Sequence, residues 1–190
     1  MNTQEHFLTL YNNTIKRQGA SDLLEWLKKS DFFTAPASSK YHLACKGGLV
    51  QHSMNVYFEL QKQADLLCKG EYSEETLAIV ALLHDICKVN FYKESTRNVK
   101  NEATGQWEKV PCYTVDEKYK FGGHGSKSVY LIMLFMKLTP DEATAINCHM
   151  GAYDRPSGDY TISGAFENNK LALMLSVADQ YASFIDEREE

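Results

Sequence analysis

The chain has no Cys-x-x-Cys pair, only four prolines and two tryptophans, no long apolar run and no surplus of positive charge. Each shortage excludes something. Five scattered thiols, Cys45, Cys68, Cys87, Cys112 and Cys148, do not read as a disulfide framework or a zinc ribbon. An odd set of this kind reads as reduced thiols of a cytoplasmic protein, serving mostly as small buried hydrophobes. The longest apolar run, Val129 to Met136, is far short of the roughly 20 residues a membrane helix needs. The opening MNTQEHFLTLYNN lacks the cationic start and apolar stretch of a signal peptide. A net charge of −5 provides no broad attraction to polyanions. Neither a stable nucleic-acid complex nor membrane association is expected.

What is present suits a globular protein. With 190 residues, 44% hydrophobic and 24% charged, the chain can bury a sizeable core without disulfides. No repeat or Pro/Gly linker divides it, so one domain over residues 1–190 is expected, with residues 1–35 as an N-terminal helical extension. Helical patterns cover Gln4–Ile15, Asp22–Lys29 (with Ser21 as N-cap), Leu49–Leu67 and Glu74–Lys88 (capped by Ser73). Leu77 to Leu83 is apolar on every side and predicts a central, buried helix. Residues from about 90 to 120 lose the helical period. They read as two short strands, Phe91–Val99 and Trp107–Val115, joined by the turn NEATGQ. Helices resume from Ser126 to Leu138 and from a Thr139-Pro140-Asp141-Glu142 capping box to His149. A polar loop from Ala152 to Asn168 precedes a final helix, Asn169–Asp186, and an acidic tail read as solvated. The fold class is mainly α, a helical bundle with a small inserted β-hairpin.

Four of the six histidines fall, with two aspartates, in or beside these apolar helices: His52, His84 with Asp85, His124, His149 and Asp179. Imidazole and carboxylate are common ligands of iron, manganese and zinc. A buried aspartate costs several kcal/mol unless it is paired or binds a metal. Facing helices that each bring one such residue to a core face can build a metal centre. Taken alone, the His84-Asp85 dipeptide also fits an ordinary core histidine beside a polar aspartate, and His124 also fits an exposed loop residue. His84 and Lys88, four apart, are expected to share a helix face.

The order H…HD…H…H…D resembles the HD-domain superfamily of metal-dependent phosphohydrolases. His84-Asp85-Ile86-Cys87-Lys88 is similar to its His-Asp-x-x-Lys motif, with Cys87 where many relatives carry glycine. The stretch PASSKYHLACKGGLVQHS, Pro36 to Ser53, resembles a segment in the HD domain of bacterial 3′-to-5′ exoribonucleases, and Ala178-Asp179 resembles the closing Ala-Asp. The resemblance spans about Pro36 to Ala182. It implies an HD-domain bundle with metal ligation by His52, His84, Asp85 and Asp179, and a second ion supported by His124 and His149. Two divalent cations, of iron, manganese, nickel or zinc, would be bridged by Asp85 and a hydroxide that attacks phosphorus. Lys88 would contact the phosphoryl group, or else be a solvated helix-end cation. His42 and Arg155 are further candidates for substrate contact, Tyr153 a weaker one, and each also fits a structural role. The hairpin fits either a lid or a plain surface ribbon.

The reaction expected is hydrolysis of a phosphoric ester in a small phosphorylated substrate, a nucleotide or short oligonucleotide. Two readings stand beside it. HD-type proteins with a similar six-ligand pattern hold mixed-valent di-iron and act as oxygenases, and a non-catalytic nucleotide-binding module would use the same pocket without turnover.

Overall fold

The computed structural model describes residues 2–117, 121–154 and 159–188. Eight α-helices lie among them: α1 (Thr3–Thr14), α2 (Ala20–Lys29), α3 (Gly48–Leu67), α4 (Glu74–Leu83), α5 (His124–Met133), α6 (Pro140–Cys148), α7 (Thr161–Asn168) and α8 (Lys170–Tyr181). Between α4 and α5 stands one antiparallel hairpin, β1 (Tyr92–Lys100) and β2 (Trp107–Val115), in continuous register from Tyr92 opposite Val115 to Lys100 opposite Trp107. This is the mainly helical bundle with an inserted hairpin that the sequence pattern predicts.

Helix starts follow local chemistry. Thr139 and Glu142 form the expected capping box at α6, and Ser73 accepts from Thr76 N at α4. Asn169 caps α8 by accepting from Ala172 N. Ser21 is not a cap: α2 begins at Ala20, two residues before the expected Asp22, behind Gly19 at φ +89°. A side chain at Gly19 would collide with the Phe135 carbonyl, so the close approach of the α5–α6 segment sets the entry point.

Helix α3 is the axis of the bundle and packs on α4 and α8, while α6 packs on α5 and α8. Leu77 to Leu83 of α4 are all buried, as an all-round apolar helix requires. Helices α1 and α2 belong to the same buried cluster, through Phe7, Tyr11, Leu23 and Leu27. Their anchor is polar as well. The Arg17 guanidinium makes paired hydrogen bonds to the fully covered Glu142 carboxylate, which also accepts from Thr139 N and Thr76 Oγ1. Removing one partner of such a pair strands a buried charge. Arg17→Met is therefore expected to lower stability by about 3 kcal/mol, read as the shift in urea midpoint. The Glu142 carboxyl is held below its ordinary 4.5; burial opposes this and the Arg17, Thr139 and Thr76 bonds outweigh it. A depressed folded-state value means that this contribution is present above pH 4.5 and disappears as pH falls through the folded value. The penalty for Arg17→Met should shrink over that same acid range.

Four stretches differ from the sequence expectation; one is α5, which runs His124–Met133 rather than Ser126 to Leu138. The helix predicted through Lys88 stops at Leu83; His84 is its C-cap, Asp85 adopts φ −111°, ψ 17°, and Ile86–Lys88 form a 3-10 turn. The loop predicted from Ala152 contains a 3-10 turn at Gly151–Asp154 and the helix α7, whose short apolar stripe, Ile162, Ala165 and Phe166, is only half-buried. The final helix loosens into a π-type turn over Ala182–Asp186. Arg155 lies outside the described residues.

Candidate metal centre

The break at Asp85 organises the site. Tightening to a 3-10 turn brings Lys88 N to Asp85 O at 3.0 Å and Lys88 Nζ to Asp85 Oδ2 at 2.6 Å. The pair that meets is thus Asp85 with Lys88, three apart, rather than His84 with Lys88 on a continuous α-helix.

His84 and His149 occupy the same local position, as the C-cap residues of α4 and α6. Each ring turns back on its own helix: His84 Nδ1 donates to Ala81 O and His149 Nδ1 to Ile146 O, both at 2.7 Å. Both bonds use carbonyls that the last helical turn leaves without an internal partner. With Nδ1 protonated, a neutral imidazole presents a lone pair at Nε2. His52, on the buried face of α3, is oriented in a parallel way by Glu187, whose carboxylate lies 3.0 Å from Nδ1 and also accepts from Asn55 Nδ2. The Nε2 atoms of the three rings point at one centre.

Two aspartates complete it. Asp179 Oδ1 lies 3.1 Å from His52 Nε2 and 4.0 Å from His84 Nε2. Asp85 divides its oxygens: Oδ2 is 3.6 Å from His52 Nε2 and 3.5 Å from His84 Nε2, while Oδ1 is 3.5 Å from His149 Nε2. Ligands sharing an ion at about 2.0–2.2 Å stand about 3–3.5 Å apart, so the donors fit a divalent cation. The orphaned His149 Nε2, buried with no hydrogen-bond partner, is explained if a metal takes its lone pair. Two helix C-termini, those of α4 and α6, aim their negative dipole ends here and favour positive charge.

The centre is dry and strongly charged. His52, His84 and His149 are fully buried and Asp85 nearly so. Burial pushes the His84 imidazole down to about 4. At His52, burial works the same way but is outweighed by hydrogen bonds to Asp179 and Glu187, which raise it to about 10. Both aspartates are held well below the usual carboxylate range, against burial, by Lys88 and the histidines for Asp85 and by His52 above all for Asp179. A cluster that keeps two carboxylates ionised out of water demands cations.

The other expected residues fall into two groups. His124, the first residue of α5, is half-buried, with Nδ1 3.3 Å from Cys87 Sγ, and forms a grouping with Asp85 and Cys87. Gly125 permits this approach: a side chain there would strike the Ile146 and Asn147 carbonyls of α6. His42 sits beside the cluster, its ring centroid 5.1 Å from that of His52, its Nε2 buried without a hydrogen-bond partner. Burial, with His52 and Lys88 nearby, depresses it to about 4. Tyr153 projects into solvent at 80% exposure and does not join the centre. The hairpin's root does: Phe91 contacts the His124 ring, and Tyr113 N donates to Ser39 O in the loop that carries His42.

A family model for the HD domain matches residues 49–188. The chain belongs to the HD-domain family. Comparisons with curated proteins and with solved structures find no match. HD domains are generally metal-dependent hydrolases, and the buried His/Asp clusters suggest divalent metal binding. No helix among the described residues is long and apolar enough to cross a membrane.

Sequence reasoning missed Glu187. The acidic tail was expected to be solvated, yet this residue is buried against His52 at 7% exposure. A polar run at a helix end carries no periodic signal, and only the tertiary fold reveals the contact. Carboxylates that bind the far nitrogen of a ligand histidine fix its tautomer and raise its basicity. Glu187→Gln is expected to weaken metal binding about 10-fold and Glu187→Ala by up to about 100-fold, read by competition with a chromophoric chelator. Unchanged affinity in both would remove the role.

Proposed function

We propose that this HD domain hydrolyses a phosphoric ester of a small nucleotide-type substrate, a nucleotide or short oligonucleotide, with two divalent cations. The observation that carries the reading is the convergence of three imidazole Nε2 atoms, each oriented from its far nitrogen, on Asp85 and Asp179. His52, His84, Asp179 and Asp85 Oδ2 would hold one ion; Asp85 Oδ1, His149 and His124 would serve the other. Cations bound there supply a hydroxide at neutral pH and offset charge on the phosphoryl group.

The chain's own residues do the rest. Asp85 spans both positions because its two oxygens face different partners. Lys88 is buried and held protonated: burial disfavours its charge, and Asp85 outweighs that. Its ammonium offers a donor to a non-bridging phosphoryl oxygen. His42 lies against His52 and Glu187 at the edge of the cluster and is a candidate for substrate contact. The net charge of −5 suits a small substrate that reaches the site by itself rather than a long polyanion.

The test is metal analysis of protein purified in air, followed by turnover of bis-p-nitrophenyl phosphate and a nucleotide panel that includes cyclic dinucleotides and short RNAs. Manganese-, nickel- or zinc-dependent release of phosphate or nitrophenolate is expected. An iron pair that becomes paramagnetic on partial reduction, with no ester turnover, would instead favour the oxygenase reading.

A further inference from the structure

Cys87 stands inside the centre, in the motif position between Asp85 and Lys88. Its Sγ lies 3.3 Å from His124 Nδ1 and 3.7 Å from Asp85 Oδ1. The residue is 1% exposed, and its backbone N–H is held by Ser128 Oγ at 3.1 Å, which anchors the main chain from which the thiol projects. On the same side of Asp85, the buried Nε2 of His149 has no hydrogen-bond partner. Cys87 Sγ, His124 Nδ1 and an Asp85 oxygen thus come together at the second cation position, while His149 Nε2, beside the same Asp85 oxygen, groups with His84 and Asp179.

We infer that Cys87 is a thiolate ligand of the second ion, making that position a mixed sulfur, nitrogen and oxygen site, softer than the first. This inference rests on the two-cation reading above and adds a ligand that the HD pattern does not assign. The spacing suits it: with metal–sulfur bonds of about 2.3 Å and metal–nitrogen or metal–oxygen bonds of about 2.0–2.2 Å, sulfur and its neighbours around one ion lie about 3.3–3.8 Å apart. On coordination the thiol releases its proton to solvent and its sulfur lone pair forms the bond; nothing is oxidised. The consequence is selectivity. Thiolate favours zinc, cobalt and iron over the hard ions magnesium and manganese. The competing view is a small buried hydrophobe whose S–H merely leans on Asp85.

Cobalt(II) titration of the full-length apoprotein under anaerobic conditions distinguishes these. A thiolate-to-cobalt charge-transfer band in the near ultraviolet is expected as the second equivalent binds. Cys87→Ser should lose the band, keep the first equivalent, and bind the second at least about 10-fold more weakly. Cys45→Ser and Cys112→Ser, at the thiols outside the buried core, should keep it. X-ray absorption of zinc-loaded wild type needs no variant and should give a zinc–sulfur shell at about 2.3 Å. Cobalt or zinc bound with a nitrogen and oxygen shell alone, or a band untouched by Cys87→Ser, overturns thiolate ligation and leaves the two-cation reading standing. No metal bound at all overturns both.

Discussion

Asp85→Asn should strip the protein of bound metal at both positions and reduce ester hydrolysis to background, while helix content by circular dichroism stays near wild type. Asp85 is the residue whose two oxygens face different groups of imidazoles, so one substitution addresses both ions. Asparagine is preferred over alanine. Lys88 is buried against this carboxylate at 2.6 Å, and alanine would leave the ammonium surrounded only by neutral or cationic groups. An unpaired buried charge costs about 3–5 kcal/mol and would confuse loss of metal with loss of fold. The amide keeps an oxygen near Lys88 but gives up the negative charge that holds cations together. His84→Ala is the companion experiment. It deletes one Nε2 donor at the C-cap of α4, beyond the apolar stretch Ala78 to Leu83 that anchors the helix in the core. Full metal occupancy in both variants, measured by inductively coupled plasma spectrometry, would dismiss the centre.

Lys88→Met should behave in the opposite sense: metal retained, turnover down about 100-fold or more, as for other donors to developing phosphoryl or oxyanion charge. The loss should fall on kcat, because the ammonium matters most where negative charge grows. A second signature follows from the ion pair. Without cations, Lys88 is the nearest positive charge to Asp85, so Lys88→Met should destabilise the metal-free protein by about 3 kcal/mol. Adding metal should restore most of that, because the ions replace the missing charge. Unaltered kinetics with unaltered apoprotein stability would make Lys88 a bystander.

The parts of this site that could be read from sequence were those with a periodic or pairwise signature. His52 falls on the apolar stripe of α3, the Thr139 capping box announces α6, and His84-Asp85 ends an unbroken apolar run. What could not be read depends on tertiary contacts. The helix stops at Leu83 because Asp85 turns to meet Lys88 and Ser128 takes the Cys87 N–H, and neither contact leaves a trace in local spacing. Glu187 reaches His52 across 135 residues from a charged stretch of sequence with no periodic signal. Helix α7 has one turn of apolar spacing, Ile162, Ala165 and Phe166, among polar residues and glycine, too short a stripe to stand out from a loop. Cys87 was visible as a departure from the usual glycine two residues after Asp85, but its contact with His124 was known only from the fold.

His84 and His149 owe their ring orientation to main-chain carbonyls, not to side chains. No point substitution elsewhere can withdraw a carbonyl, so the aim of these two nitrogens is insulated from sequence drift around them. It is hostage only to the integrity of the final turns of α4 and α6. The same insulation means that the pocket is built before any ion arrives, so chelation should leave the far-ultraviolet spectrum and the hydrogen-exchange protection of both helix ends nearly intact, and reloading should proceed without a refolding lag.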